Sequence, residues 1–243
     1  MTIGIDPKPS GYSHVVQQRR AGALEGNGKA ELAMQAYQSA LSICEKVLGS
    51  NHPDMAMPHR KIGNILASQG NHDGALEKYR LALCIQEEAL GSQHPDTILT
   101  YNLLGVTLKN KGELKEAWLV LQNALQIHQS MLGPNHPSTA DCHTNLGNVL
   151  LKQGTYDLSL EHHQKALAIR QSYLGRLHLD TINSYLNIAL ILTYKDDILG
   201  SLTAAGTMRV LKWIRFITHS SSSRGDPPTN HGLWHSDSGG AEL

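Results

Sequence analysis

Histidine is the residue type in this sequence that most suggests chemistry, because an imidazole ring binds divalent transition metals and transfers protons near neutral pH. The chain has 14 histidines among 243 residues, but only one phenylalanine. His162 and His163 are adjacent, so on a helix they point about 100° apart and cannot chelate one ion together. The other histidines must first be placed on the elements that carry them.

A repeat of 42 residues organises most of the chain. The dipeptide Leu-Gly recurs at this spacing, starting at Leu48, Leu90, Leu132 and Leu174. Four residues after each of these leucines stands a histidine, and proline follows three of the four: His52, His94, His136 and His178. Sets of residues spaced by 42, here called columns, also hold Gly or Ala at several other positions. Such self-similarity at a fixed period is typical of stacked repeat architectures.

Each unit is predicted to contain two helices. Proline and aspartate near the start of the first helix suit a position where backbone N–H groups lack partners and the helix dipole is positive. Gly70, Gly112 or Gly154 is expected to end that helix in the left-handed conformation. The second helix carries apolar residues at helical spacing, such as Leu76 and Tyr79, and ends at the Leu-Gly pair. Neither helix can bury its apolar side alone, so successive pairs must stack into an α-solenoid.

The repeat accounts for the histidines without a metal. Four of them belong to the linker column and lie too far apart along a solenoid to share an ion. His59 and His143 share a column with Tyr101 and Tyr185, which predicts core packing. We therefore predict no metal site and no cofactor. Phosphate-loop, dinucleotide-binding, HExxH and GxSxG motifs are also absent from the sequence, so we predict a non-catalytic protein without a small-molecule substrate.

Composition narrows the partners further. The chain carries 21 basic and 21 acidic residues, and a net charge of zero argues against a dedicated nucleic-acid binder. Cys44, Cys84 and Cys142 form no CxxC pair, so we expect neither a disulfide framework nor a structural zinc site. The most apolar stretch, residues 198–217, contains Arg209, Lys212 and Arg215 and is a poor membrane span. We predict a cytoplasmic protein that binds neither nucleic acid nor membrane.

The repeating residues resemble the tetratricopeptide repeat. In one unit the matching positions are Ile62, Gly63, Leu66, Ala75, Tyr79 and Ala82. The ordinary repeat has 34 residues, whereas this one has 42 and ends in a Leu-Gly-x-x-His-Pro-x-Thr linker, most complete from Leu90 to Thr97. This version looks like the units of kinesin light chain and nephrocystin-type proteins. The resemblance implies an all-α, right-handed α-solenoid of antiparallel helix pairs.

The resemblance sets the predicted domain boundaries. We expect a flexible N-terminus over residues 1–13 and a solenoid of about four and a half repeats over residues 14–196. Residues 197–218 lose the pattern and are predicted to form a divergent C-terminal capping helix, which repeat arrays generally need. A basic amphipathic helix and an alternative gene product without selected structure remain alternatives for this segment. Residues 219–243 are rich in Ser, Gly, Pro and Asn and are predicted to be disordered.

In this family the first helices line a concave groove that receives a peptide. The resemblance implies that role for outward-facing residues of the first helices, which are Arg60, Asn64, Asn102, Lys109, Asn145, Asn148, Lys152, Asn183 and Asn187. Asparagine suits this task because its amide offers both a donor and an acceptor to a peptide backbone. The alternative is that these residues are merely solvated positions on amphipathic helices.

Two of these residues match the carboxylate clamp of chaperone-binding tetratricopeptide domains, namely Arg60 and Asn64. Leu103, Asp141 and Asn145 stand where the clamp requires Asn, Lys and Arg, so a chaperone tail is not the expected ligand. The predicted function is a non-catalytic protein–protein interaction scaffold or adaptor with a protein or peptide partner.

Two other functions stay open from the sequence. The chain could be a partial product or regulatory repeat region of a larger protein, either a kinesin light chain-like adaptor or a repeat-bearing ATPase or protease, because the register is lost after Lys195. The second alternative is an RNA-binding helical-repeat array. Such an array requires a basic groove and a period of 35 residues, whereas this chain has a net charge of zero and a period of 42.

Overall fold

The computed structural model describes residues 13–198, including the side chains of residues 13–195. This part of the chain is all-α, and its helices are α1 (Ser13–Gly26), α2 (Ala30–Leu48), α3 (Ala56–Ser68), α4 (His72–Leu90), α5 (Pro95–Lys111), α6 (Leu114–Leu132), α7 (Pro137–Lys152), α8 (Tyr156–Leu174) and α9 (Leu179–Ile198). A 3-10 turn, Pro53–Met55, precedes α3. Residues 13–191 belong to one compact body, and residues 192–198 belong to a second.

The helices form successive pairs, and each helix from α1 to α7 packs against the next one along the chain. The first helices of neighbouring pairs also meet directly, α3 with α5 and α5 with α7. The prediction of an all-α solenoid of helix pairs is therefore confirmed. The predicted flexible residues 1–12, and the predicted capping helix and disordered tail beyond residue 198, lie outside the described residues.

Within a pair, the two helices approach closely at the glycine column of the first helix. A Cβ added to Gly105 in α5 would lie 2.5 Å from Cγ of Leu121 in α6. Gly63 and Gly147 are equally close to the second-helix residues Tyr79 and His163. A side chain at these glycines would displace the partner helix, which explains why this column holds glycine in three consecutive units.

The linker between pairs is a closed turn in which the repeated histidine caps the next helix. Nδ1 of His94 accepts a hydrogen bond from the backbone N–H of Asp96 at 3.2 Å, and His52, His136 and His178 do the same two residues onward. Thr97 Oγ1 donates to the carbonyl of Gly91 at 2.9 Å. Gly91 itself has φ of 84° and ψ of 162°, a conformation that essentially only glycine adopts. The histidine column thus has the role that Asn or Asp usually has at a helix start.

Candidate functional site

The nine residues predicted to contact a peptide all lie on first helices. Arg60 and Asn64 are on α3, whereas the other seven are distributed over α5, α7 and α9. All nine are at least partly exposed, in contrast to the buried apolar residues of the same helices such as Leu104 and Leu146. Because α3 contacts α5 and α5 contacts α7, the three helices that carry seven of these residues lie side by side, and α9 carries the other two. We call this surface the first-helix face.

Arg60, Asn64 and Asn102 use their polar groups in contacts with side chains of neighbouring helices. Arg60 Nη2 lies 3.5 Å from Asp96 Oδ1, and the Arg60 side chain is only 13% exposed. Asn64 Oδ1 accepts a hydrogen bond from the Tyr79 hydroxyl at 2.8 Å. A third contact, from the Cys142 thiol to Asn102 Oδ1 at 3.7 Å, links α7 to α5. These three residues connect neighbouring helices, which is a structural role that the sequence did not predict.

Four of the nine residues are asparagines whose amides make no hydrogen bond among residues 13–195. Asn145, Asn148 and Asn187 are half-buried, and Asn183 is exposed. An unpaired amide on a partly exposed helix surface retains both its donor and its acceptor for a ligand. These asparagines all lie on α7 and α9, so the available hydrogen-bonding groups are concentrated toward the C-terminal half of the face.

The two lysines of the face lie next to each other at the ends of α5 and α7. Lys152 Nζ donates to the backbone carbonyl of Lys109 at 3.2 Å. Burial, and then the neighbouring Lys152, lower the pKa of Lys109. In the part of the chain that the structure describes, neither ammonium forms an ion pair with a carboxylate, whereas Lys61 on the same face pairs with Glu25 at 3.0 Å. The two lysines therefore present positive charge that the chain leaves uncompensated.

The face also carries large apolar residues that the sequence reasoning missed. Leu99 on α5 is 43% exposed, and Leu186 and Leu190 on α9 are 54% and 46% exposed. Leu186 belongs to the column of Arg60 and Asn102, and Leu190 to the column of Asn64 and Asn148. The 42-residue register therefore contained a signal for these two leucines, since most residues in their columns are polar in earlier units.

The core histidines behave as predicted in one respect and differ in another. His143 is buried, at 5% exposure, like Tyr185 in the same column, which confirms the prediction of core packing for His143, whereas His59 is only half-buried. Its Nδ1 atom also lies 3.0 Å from Nδ1 of His162 on α8. His163 faces Gly147 instead and is fully buried, and neither of its ring nitrogens has a hydrogen-bond partner among the described residues. Thus the adjacent His162 and His163 point in different directions, as expected: His162 contacts His143, and His163 packs over Gly147.

The described residues lack the features of a membrane-spanning helix and of a cluster of three or more metal-ligating side chains. Among residues 13–198, no helix is long and apolar enough to cross a membrane. In the same range, no group of three or more His, Cys, Asp or Glu side chains is arranged to hold a metal ion.

The chain matches one protein family and several solved structures. A family model for the tetratricopeptide repeat matches residues 13–83, 54–118 and 143–198. No curated protein matches the sequence. The nearly identical TPR-like repeats of a Podosopora anserina protein assigned as a kinesin light chain superpose with a TM-score of 0.70 at 20% identity, covering 87% of this chain and 97% of that chain.

Two other solved structures share the fold at low identity. BtubC (BKLC) from P. vanneervenii has a TM-score of 0.68 at 21% identity, covering 91% of this chain and 86% of that one. A Rap protein in complex with Competence and Sporulation Factor has a TM-score of 0.59 at 14% identity, covering 85% of this chain and 55% of that one.

Proposed function

Because this chain belongs to the tetratricopeptide repeat family, with repeats of the kinesin light chain type, we propose that it is a non-catalytic protein-interaction scaffold. Its ligand is a peptide segment of a partner protein, bound in an extended conformation along the first-helix face. Stacked repeats commonly use such extended surfaces for binding. The observation that carries the proposal is that the amides of Asn145, Asn148 and Asn187, on the successive first helices α7 and α9, make no hydrogen bond among residues 13–195.

The amides of these asparagines match the hydrogen-bonding groups of a peptide backbone rather than those of one particular side chain. Each backbone residue of an extended peptide presents one N–H and one C=O, and one Asn amide can satisfy both. Asn145 and Asn148 lie about one turn apart on one helix and Asn187 lies on the next first helix, so each can contact a different part of the ligand. Asn145 and Asn148 on α7 and Asn187 on α9 therefore define a short track for the backbone.

The remaining residues of the face give this track its selectivity. Leu186 and Leu190 offer partly exposed apolar surface to ligand side chains, and covering such surface contributes about 25 cal/mol for each Å² removed from water. The Lys109–Lys152 pair favours a ligand with a carboxylate at that point, because the two ammonium groups have no acidic partner of their own in residues 13–195. The Rap protein that shares the fold was solved with a bound factor, which supports the choice of a binding function.

A selection from a displayed random-peptide library tests the proposal. The full chain serves as bait, and the Kd of each selected peptide is measured by fluorescence anisotropy. We expect the triple variant Asn145→Ala, Asn148→Ala and Asn187→Ala to bind on the order of tenfold more weakly or worse, since each lost hydrogen bond is worth about 1 kcal/mol. Asn102 is left unchanged because it already bonds to Cys142.

Gln126→Ala provides the matched control. Gln126 is an exposed amide on the second helix α6, away from the first-helix face, so its removal leaves the Kd unchanged. Peptides that bind the triple variant and the unaltered chain equally well would place the binding site elsewhere and contradict the proposal.

A further inference from the structure

The contact between His143 and His162 joins two helices through a pair of imidazole rings. The Nδ1 atoms are 3.0 Å apart, so one ring donates its N–H and the other accepts. His143 also lines a cavity of about 510 Å³ together with Gln129, Asn135, Lys165 and Ser172. His143 is therefore buried but borders a cavity, whereas His162 is half-buried and does not line that cavity.

The fold does not require this pair. In the α3–α4 unit the same two columns hold His59 and Lys78, and in the α5–α6 unit they hold Tyr101 and Val120. Both of those units form the same helix pair without two facing imidazoles. The meeting of two histidines is thus a property of the α7–α8 unit, and packing alone does not explain it.

Burial, with a smaller effect of neighbouring charges, favours the neutral form of both rings. Burial lowers the pKa of His143 to about 4, with His162 and then Lys165 as further causes. Burial also lowers the pKa of His162, followed by Lys165. Glu161 opposes both effects, but its carboxylate is held by Lys165 at 2.6 Å. Neutral imidazole is the form that binds a metal ion.

We propose that His143 and His162 bind one divalent late transition-metal ion, of the Ni²⁺ or Cu²⁺ class, through their two Nδ1 atoms. Two nitrogen ligands at about 2.1 Å from a metal and at right angles to each other are about 3.0 Å apart, and the observed separation of the Nδ1 atoms is 3.0 Å. A tetrahedral ion such as Zn²⁺ requires a separation of about 3.4 Å. Imidazole ligands suit Ni²⁺ and Cu²⁺, which favour right-angled geometry.

Binding of the ion requires one proton to move. The hydrogen that the two Nδ1 atoms share leaves the donor Nδ1, and Nε2 of the same ring takes up a proton through solvent, so the pair stays neutral overall. Both Nδ1 lone pairs then point to the metal. Because the chain supplies only two ligands, water occupies the remaining positions of the ion. The sequence-based expectation of no metal site considered His162 only beside His163, and it did not anticipate His143 as the partner.

Calorimetric titration of the tag-free full chain with NiCl₂ at neutral pH tests the site, with thermal unfolding as a second readout. The two variants copy residues from other units of the chain, so that each is compatible with the fold: His143→Tyr follows Tyr101 and Tyr185, and His162→Val follows Val120. We expect one Ni²⁺ to bind and to raise the Tm of the unaltered chain. Each variant is expected to lose about a hundredfold in affinity, because chelation by the second ring is lost.

His59→Tyr is the matched control, since it removes a histidine from the same column where no second imidazole faces it. This variant keeps both the affinity and the Ni²⁺-dependent rise in Tm. An absence of Ni²⁺ binding to the unaltered chain overturns the proposal and leaves the pair as a hydrogen bond only. Equal binding by all three variants also overturns it, because the ion then sits on other histidines.

Discussion

In the α3–α4 unit, Tyr79 packs over Gly63 and donates its hydroxyl to Asn64. In the α7–α8 unit, His163 packs over Gly147, and neither of its ring nitrogens has a hydrogen-bond partner within residues 13–195. The backbone approach is the same, since a Cβ on either glycine would lie 2.6 Å from the facing ring. The repeat therefore conserves where a large side chain sits, while the polar atoms on that side chain differ from unit to unit.

The same contrast extends to the first-helix face. In the α3–α4 unit the hydroxyl of Tyr79 occupies the amide of Asn64. His163 cannot reach in the same way, and Asn148, which is in the column of Asn64, keeps its amide free of hydrogen bonds in the described chain. A difference in the core thus gives the carbonyl oxygen of Asn64 an intramolecular donor that Asn148 lacks among the described residues. The predictions below test this comparison, beginning with the largest effect.

Acid is expected to destabilise the α7–α8 unit most. Burial, followed by His162, lowers the pKa of both His143 and His163 to about 4, whereas the α3–α4 unit has one such residue, His59. Because these pKa values lie below the ordinary 6.5, the unfolded chain takes up protons first as the pH falls. Stability is complete above pH 6.5 and is lost between 6.5 and about 4, by about 3 kcal/mol for His163 alone.

Amide hydrogen exchange measured between neutral pH and pH 4 separates the two units. After correction for intrinsic exchange, protection in α7 and α8 should fall before protection in α3 and α4. Simultaneous loss in both units would show that the buried histidines do not determine the acid response.

A methyl group in the glycine column should be the next most disruptive change. Gly147→Ala drives Cβ into His163 and is expected to cost about 2 kcal/mol of unfolding free energy, as overpacked cores do. Gly63→Ala meets Tyr79 at the same distance and should cost a similar amount. Urea denaturation measures both values.

Gly22→Ala is the control for helix propensity. Gly22 lies inside α1, where an added Cβ meets only the Tyr37 hydroxyl at 3.9 Å. This change should stabilise the chain by about 0.5 kcal/mol, because Gly is a poor helix residue. If Gly147→Ala were as harmless as Gly22→Ala, the close helix approach described here would be wrong.

Replacing His163 by tyrosine, the residue at the equivalent position 79 of the α3–α4 unit, should give the α7–α8 unit the same buried hydrogen bond. His163→Tyr is expected to stabilise the chain by about 1–2 kcal/mol, because it replaces two unsatisfied buried nitrogens by a hydroxyl within reach of Asn148. The same variant should weaken peptide binding, since the Asn148 amide becomes occupied. His163→Leu, which copies Leu121, should give the stability without the loss of binding. A destabilised His163→Leu variant would contradict this explanation.

The smallest expected effect lies in the linkers, where the two units are alike. His52 and His136 each accept a backbone N–H at 3.2 Å, so His52→Ala and His136→Ala should each cost about 1 kcal/mol. His52→Asn and His136→Asn should restore most of the stability, because asparagine is a good capping residue. Thermal unfolding of the four variants measures the effect, and an alanine variant as stable as its asparagine counterpart would argue against the capping role.

The sequence predicts the fold well because the same pattern of glycine, alanine and Leu-Gly positions occurs in several successive units. The glycine, alanine and Leu-Gly columns locate every helix pair from α3 to α8 and require no knowledge of distant contacts. Six of the fourteen histidines fall in the linker and core columns that the repeat defines, although the capping geometry of the linker histidines needed coordinates. Periodicity of this kind is a local signal, and it is present in the chain before folding.

The candidate site was less predictable, since it depends on contacts between units. Nothing in the column of Asn64 indicates that Tyr79 occupies its amide while Asn148 remains unpaired. The pairing of His143 with His162 depends on the rotamers of two rings on different helices. The exposed Leu186 and Leu190 were detectable from the sequence, because each is an apolar residue in a column that is mostly polar in the earlier units.

Nuclear magnetic resonance of the side-chain amides tests the binding account most directly. A library-selected peptide is added to the labelled 26.6 kDa chain, and the NH₂ signals of asparagine and glutamine are followed. We expect the NH₂ signals of Asn145, Asn148 and Asn187 to shift in proportion to bound peptide and the NH₂ signal of Gln126 on α6 to stay unchanged. Shifts confined to the second helices, with these three asparagines unchanged, would contradict the assignment of the first-helix face as the binding surface.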